Sequence, residues 1–171
     1  MTSSPLSLGL LLLRLVVGVV FVAHGYNHIW GGGKLAGTAR WFESLGMKPG
    51  ILHATVASLV ELGAGVLLIL GLLTPLAGAG IVGVMLVAWI TNHAKNGFFI
   101  FRPGEGYEYG MTLTFCGLAL GAAGGGYYSV DQAIGIFTPV SWLWMGISFA
   151  AGIVGALGLL VTCWRPEKKP A

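Results

Sequence analysis

At 171 residues, with 56% hydrophobic and only 9% charged side chains, the chain lies far from the roughly 25% charge of a soluble domain and has room for one helical bundle. Its formal net charge is +3 at pH 7, yet the nine lysines and arginines are scattered through short loops. They are not gathered on one folded surface, which argues against a nucleic-acid partner.

Five apolar spans follow one another, at 8–29, 54–73, 76–91, 109–123 and 142–163. The first has no basic n-region, contains Arg14 and offers no small-x-small cleavage site, so a retained helix is expected rather than a signal peptide. After it comes Gly31-Gly32-Gly33 and a 31–53 loop. There Thr38 reads as an N-cap and Gly46 as a C-cap of a short helix lying at headgroup level, with Trp41, Phe42 and Leu45 on one face. Thr74-Pro75 makes a tight turn between the second and third spans, which are therefore neighbours and antiparallel. The third and fourth spans fall short of the ~20 residues that cross a bilayer and sit near the ~17 lower limit. Trp30, Trp89, Trp142, Trp144 and Trp164 mark span ends, as aromatic belts do.

The charges give these spans a direction. Lys34, Arg40 and Lys48 lie between spans one and two, Lys95 and Arg102 between three and four, and Arg165, Lys168 and Lys169 after five. The opposite turns carry no lysine or arginine. The positive-inside rule then predicts these loops and the C-terminus in the cytoplasm and Met1 outside. The predicted class is all-α: an integral membrane helical bundle of four core helices plus a fifth. Its divisions are 1–131, a further span at 132–164, and a basic tail at 165–171. The bilayer is the first partner expected.

Glycine, at 29 residues, suits helices that approach closely in lipid. Gly117, Gly121 and Gly125 form two overlapping GxxxG pairs, read first as self-packing and second as a dimer face. Cys116 and Cys163 differ in predicted depth by roughly 10 Å, beyond disulfide reach, and read as small buried hydrophobes.

Ionisable residues inside spans cost ~2.5–3.5 kcal/mol each at mid-bilayer and call for partners. Arg14 and Glu61 lie at depths an arginine side chain can bridge. They read either as a neutralising pair that fixes the register of spans one and two or as a proton or substrate site. His24 and His28 share a helix face, His53 opens span two and His93 closes span three, so all four are predicted near the cytoplasmic interface. Glu105 and Glu108 approach from that side, and Asp131 is the acid of the outer face, where it caps or turns the chain. Four histidines there read as interfacial polar residues, as contacts to a quinone head group or a proton path, or as ligands of a metal or haem.

Several of these stretches resemble the DoxX family. They are Arg14-Leu15-Val16-Val17-Gly18 with His24-Gly25, Trp41 to Gly46, and Glu61-Leu62-Gly63-Ala64-Gly65 onward to Gly71. Met85 and Ala88, Gly106-Tyr107-Glu108-Tyr109 and Ser129-Val130-Asp131 complete the pattern over about residues 8–131. The resemblance implies a four-helix bundle of the bacterial inner membrane. Relatives include the membrane subunit of a thiosulfate:quinone oxidoreductase and a component of a membrane-associated oxidoreductase complex with soluble redox partners. It nominates Arg14, Glu61 and Glu108 as the polar site; the fifth span extends the usual four. The function expected is a subunit of a redox-linked, quinone-associated membrane assembly with other protein subunits. The rivals are a non-catalytic scaffold and a small-solute or proton-linked transporter, the latter without the paired halves usual in carriers.

Overall fold

The computed structural model describes residues 3–137 and 141–166, and the predicted positions of Met1, Lys168 and Lys169 lie outside the described residues. Helix α1 (Pro5–Trp30) starts at Ser4, whose hydroxyl accepts from Ser7 N, with Pro5 in the first turn. Helix α2 (Lys34–Ser44) follows the glycine run, and α3 (Gly50–Leu70) returns antiparallel to α1. Helix α4 (Thr74–Ala88) runs on through a π-turn at Trp89–His93 and a 3-10 turn at Ala94–Asn96. Then come α5 (Glu108–Ala123), the single-turn α6 (Val130–Ile134) and α7 (Trp142–Cys163), capped by the Ser141 hydroxyl.

Among the described residues no strand forms, apart from an isolated bridge between Met47 and Trp164. Among the described residues four helices are long and apolar enough to cross a membrane: Pro5–Trp30, Gly50–Leu70, Thr74–Asn96 and Trp142–Cys163. The sequence reading has five. Its fourth span is α5, whose 16 residues make a helix only about 24 Å long, against the ~30 Å of hydrocarbon it faces. It nevertheless packs in the bundle, against α4 and α7.

Burial runs opposite to that of a soluble protein. Leu6, Leu12, Val16, Leu59, Val154 and Val161 point outward, while Arg14, Ser58, Thr74, Thr114, Asp131 and Ser148 are buried. A surface so apolar needs lipid as its solvent. Inside, van der Waals contact between close backbones holds helix to helix. A Cβ on Gly18 would stand 2.8 Å from Gly65 O, and one on Gly65 would stand 2.7 Å from Gly18 O, so this pair sets the register of α1 on α3. Gly117 and Gly121 do likewise against α4 and α7, where a Cβ on Gly78 would be 2.7 Å from Gly117 O and one on Gly121 would run into Ser148. The glycine pairs are consumed within the bundle, in line with the self-packing reading.

The bundle has two ends. The α6 end holds Gly71, Thr74, Tyr128 and Asp131; the α2 end holds the 31–49 and 97–107 connections and the Trp164 terminus of α7. At the α6 end Asp131 does what was expected of it. Its carboxylate accepts from Leu73 N (2.7 Å), Thr74 N (2.9 Å) and the Thr74 hydroxyl (2.7 Å), capping α4. At the α2 end the short helix departs from expectation. It begins four residues before Thr38, whose hydroxyl donates instead to His28 O (2.9 Å) and ties α2 to the end of α1. Only part of its aromatic face turns into the bundle: Phe42 is buried with Met47 and Ala54, and Leu45 O accepts from the Trp164 indole (2.8 Å), while Trp41 stays exposed.

Candidate functional site

The register set by Gly18 and Gly65 decides where the buried charges go. Arg14 stands opposite the last turn of α3, about two helical turns (~11 Å) nearer the α6 end than Glu61. The expected Arg14–Glu61 pair therefore does not form. Arg14 donates to Leu68 O (2.8 Å), Ile69 O (3.5 Å) and Tyr128 O (2.6 Å), and its electrostatic partner is Asp131. Leu68 O and Ile69 O belong to the last turn of α3, and Tyr128 O to the turn before α6, so the guanidinium joins them. Gly71 leaves room for it: the residue sits at φ +66°, and a Cβ there would collide with the guanidinium. Arg14 is thus a clamp across α1, α3 and the 124–129 turn.

Glu61 faces the other way. Its Oε2 lies 2.9 Å from Nδ1 of His28. The two atoms are close but out of line for a hydrogen bond, and neither has another partner. His53, in the first turn of α3, is 5% exposed, and its Nε2 has no partner either. All three side chains line one cavity of about 690 Å³, within the range of small-molecule sites. His24, His93, Glu105 and Tyr109 line the same polar end, and His24 lies over the Tyr109 ring at 6.2 Å between centroids. Trp41 and Phe42 of α2 form part of its wall, with the Trp41 ring 6.4 Å from that of His28.

The four histidines do not have equivalent surroundings. His93 is fully engaged, its Nδ1 donating to Glu105 O (2.9 Å) while Nε2 accepts from the Asn92 amide (3.3 Å). That pattern fixes the neutral Nδ1–H form. The π-turn at Trp89–His93 brings Thr91, Asn92 and His93 onto the cavity wall, as such turns often do at sites. Among the described residues no three His, Cys, Asp or Glu side chains gather as a metal-ligand set.

Glu108 does not reach the cavity. Its Oε1 accepts from Ile100 N (2.9 Å) and holds the 97–107 connection. The three residues nominated by resemblance therefore separate: Arg14 at the α6 end, Glu61 in the cavity, Glu108 at the start of α5. Residues the sequence reading left out of its site are Tyr109, Asn92 and Trp41. Trp41 was legible as an aromatic face but not as one that borders a cavity. Nothing in the local sequence announces the π-turn.

The DoxX family model matches residues 9–94, from α1 through the π-turn, and so half the chain. The chain belongs to the DoxX family. The match is shorter than the 8–131 over which the motifs read. A protein of Bacillus subtilis (strain 168) named "Putative oxidoreductase CatD" is 33% identical over 113 residues, covering 66% of this chain and 78% of that one. No solved structure matches. The family membership and the apolar crossing helices together make this a multi-pass membrane protein.

Proposed function

We propose that this DoxX-family protein is the quinone-binding subunit of a redox-linked assembly in a bacterial inner membrane, working with other protein subunits. The observation that carries the reading is the pairing of unused hydrogen-bonding groups with apolar space. His53 Nε2, His28 Nδ1 and Glu61 Oε2 are buried without hydrogen bonds at one end of the cavity. A buried polar group without a partner costs about 1–3 kcal/mol, so His53 Nε2, beside a His28–Glu61 contact that makes no hydrogen bond, favours a ligand that completes it. The family relative named an oxidoreductase supports the redox part of the reading.

A quinone supplies two-electron chemistry coupled to protons. Toward it, His53 Nε2 offers a hydrogen bond to a ring oxygen. The His28–Glu61 pair offers a place to hold or pass a proton, a carboxylate beside an imidazole being suited to both. Trp41 and Phe42 give the head group flat neighbours. The lysines and arginines of the 31–49 and 97–107 connections lie at the α2 end with this polar cluster, and the positive-inside rule puts that end in the cytoplasm.

The test is titration of the purified full chain with a decyl-substituted benzoquinone, read by quenching of tryptophan fluorescence, since Trp41 lines the cavity. Saturable quenching is expected. It should weaken about 10-fold in Glu61→Gln and in His53→Ala, the loss of one hydrogen bond of ~1.4 kcal/mol. Absence of saturable quenching in the wild-type protein overturns the reading. For orientation, Lys34→Cys should react with a membrane-impermeant maleimide in inside-out vesicles and not in right-side-out ones.

A further inference from the structure

The cavity is longer than a head group requires. From its polar end it continues along α4 toward Leu76, about 24 Å of helix measured from Asn92. Helices α3 and α7 both pack on α4 without packing closely on each other, so α4 forms a floor between two walls. One face of α3 supplies Val56, Val60, Gly63 and Leu67; one face of α7 supplies Ala151, Gly155 and Leu159. At the α2 end the groove is stopped by Phe42, Met47, Leu159 and Trp164, which pack together.

The glycines fall into two kinds. At Gly18, Gly65, Gly78 and Gly152 an added Cβ would come within 3.0 Å of a neighbouring helix, so these are small because backbones touch. At Gly63 and Gly155 an added Cβ would meet nothing within 4 Å, and at Gly83 only Gly152 O at 3.7 Å. These three line the cavity, and their smallness is not demanded by packing against another helix. The groove leads to the buried, unpartnered His53 Nε2.

We propose that the groove between α3, α4 and α7 is a tail channel, by which a quinone carrying a single linear apolar tail enters sideways from the bilayer. The head comes to rest at His53 and Glu61, and the tail lies along α4. The inference rests on the quinone reading above and adds the ligand's class and route, and it makes α7, outside the family-matched 9–94, a wall of the site. Lipid is as apolar as the groove, so the tail gains little affinity by entering it. The channel acts by admission: a side chain that fills it excludes tailed ligands only.

The experiment uses full-length protein in phospholipid nanodiscs and two benzoquinones of the same head group, one with a decyl tail and one without. Each is titrated by tryptophan quenching against its mole fraction in the bilayer. Gly155→Leu and Gly63→Leu both fill open space, so their thermal melts should match the wild type; Gly155→Ala serves as the small control. The expected result is at least a 10-fold weakening for the decyl compound in the two leucine variants. The tail-less compound and the alanine control should be unchanged. If the leucine variants bind both compounds as the wild type does, or lose both equally, the tail channel is overturned while quinone binding stands. If the wild type binds neither compound, the quinone reading itself has failed.

Discussion

The two ends of the bundle bury ionisable side chains equally well and use them in opposite ways. At the α6 end Arg14 is 0% and Asp131 1% exposed, and each makes three hydrogen bonds, with only Arg14 Nε left without a partner and that atom packed away from the cavity. At the α2 end Glu61 and His53 are nearly as buried, at 3% and 5%, yet Glu61 Oε2, His28 Nδ1 and His53 Nε2 have no hydrogen bonds. Burial of a charge in a membrane span is therefore not what marks a site. The mark is hydrogen-bonding capacity left over beside open space.

The largest effects should come from breaking the satisfied end. Asp131→Ala removes three acceptor contacts and leaves Arg14 without its electrostatic partner. Leaving such buried donors without an acceptor costs about 1–3 kcal/mol each. A melt in detergent should fall by roughly 10 °C, with 2–4 °C expected per kcal/mol in a chain of this size. Quinone affinity of the protein that remains folded should be little changed, because the polar head site at His53 and Glu61 lies toward the other end. If Asp131→Ala left the melting temperature untouched, the contrast between the ends would collapse. Next in size is Gly18→Leu. The Cβ alone would meet Gly65 O at 2.8 Å, so α1 and α3 must separate, and a cost of at least 1–3 kcal/mol should appear in the same melt. Since this pair sets the register, the variant should also loosen both Arg14 and the His28–Glu61 contact, unlike Gly155→Leu.

How much of this was legible in the sequence follows the same division. The membrane class, the span order and the role of Asp131 could be read because hydropathy, loop charge and turn chemistry are local signals. The clustering of His24, His28, His53 and His93 at one end could be read too, since helix length and antiparallel connection fix depth. The partner of Arg14 could not. It depends on the axial register of α1 on α3, set by the contact of Gly18 with Gly65, and two turns of shift separate the pair expected from the pairs that form. Thr38 misled for a related reason: a helix start was read where its hydroxyl instead reaches His28 O. Helix faces in these spans are apolar all round, so periodicity could not show that Gly63 and Gly155 border a groove.

Glu61→Gln sharpens the comparison from the other side. The amide keeps the shape of the carboxyl group and removes only the charge that faces His28 at 2.9 Å, so the fall in melting temperature should be well below that of Asp131→Ala. Quinone affinity should nevertheless drop about 10-fold. Loss of stability as large as that of Asp131→Ala would make Glu61 a second structural clamp and remove it from the site.

The smallest effect is expected at Glu108, which shares its nomination with Arg14 and Glu61 but not their surroundings. Its Oε1 accepts from Ile100 N at an exposed position, where water readily replaces the carboxylate. Glu108→Gln keeps an acceptor of the same length and should cost less than about 1 kcal/mol. Because Glu108 does not line the cavity, quinone titration should be unchanged. The variant should show itself, if anywhere, as faster hydrogen exchange at Ile100 and its neighbours. A 10-fold loss of quinone affinity in Glu108→Gln, with exchange at Ile100 unaltered, would mean that the loop it holds is part of the binding surface. The division between a site at Glu61 and supports elsewhere would then have to be redrawn to include the 97–107 connection, whose Ile100 and Glu105 already border the cavity.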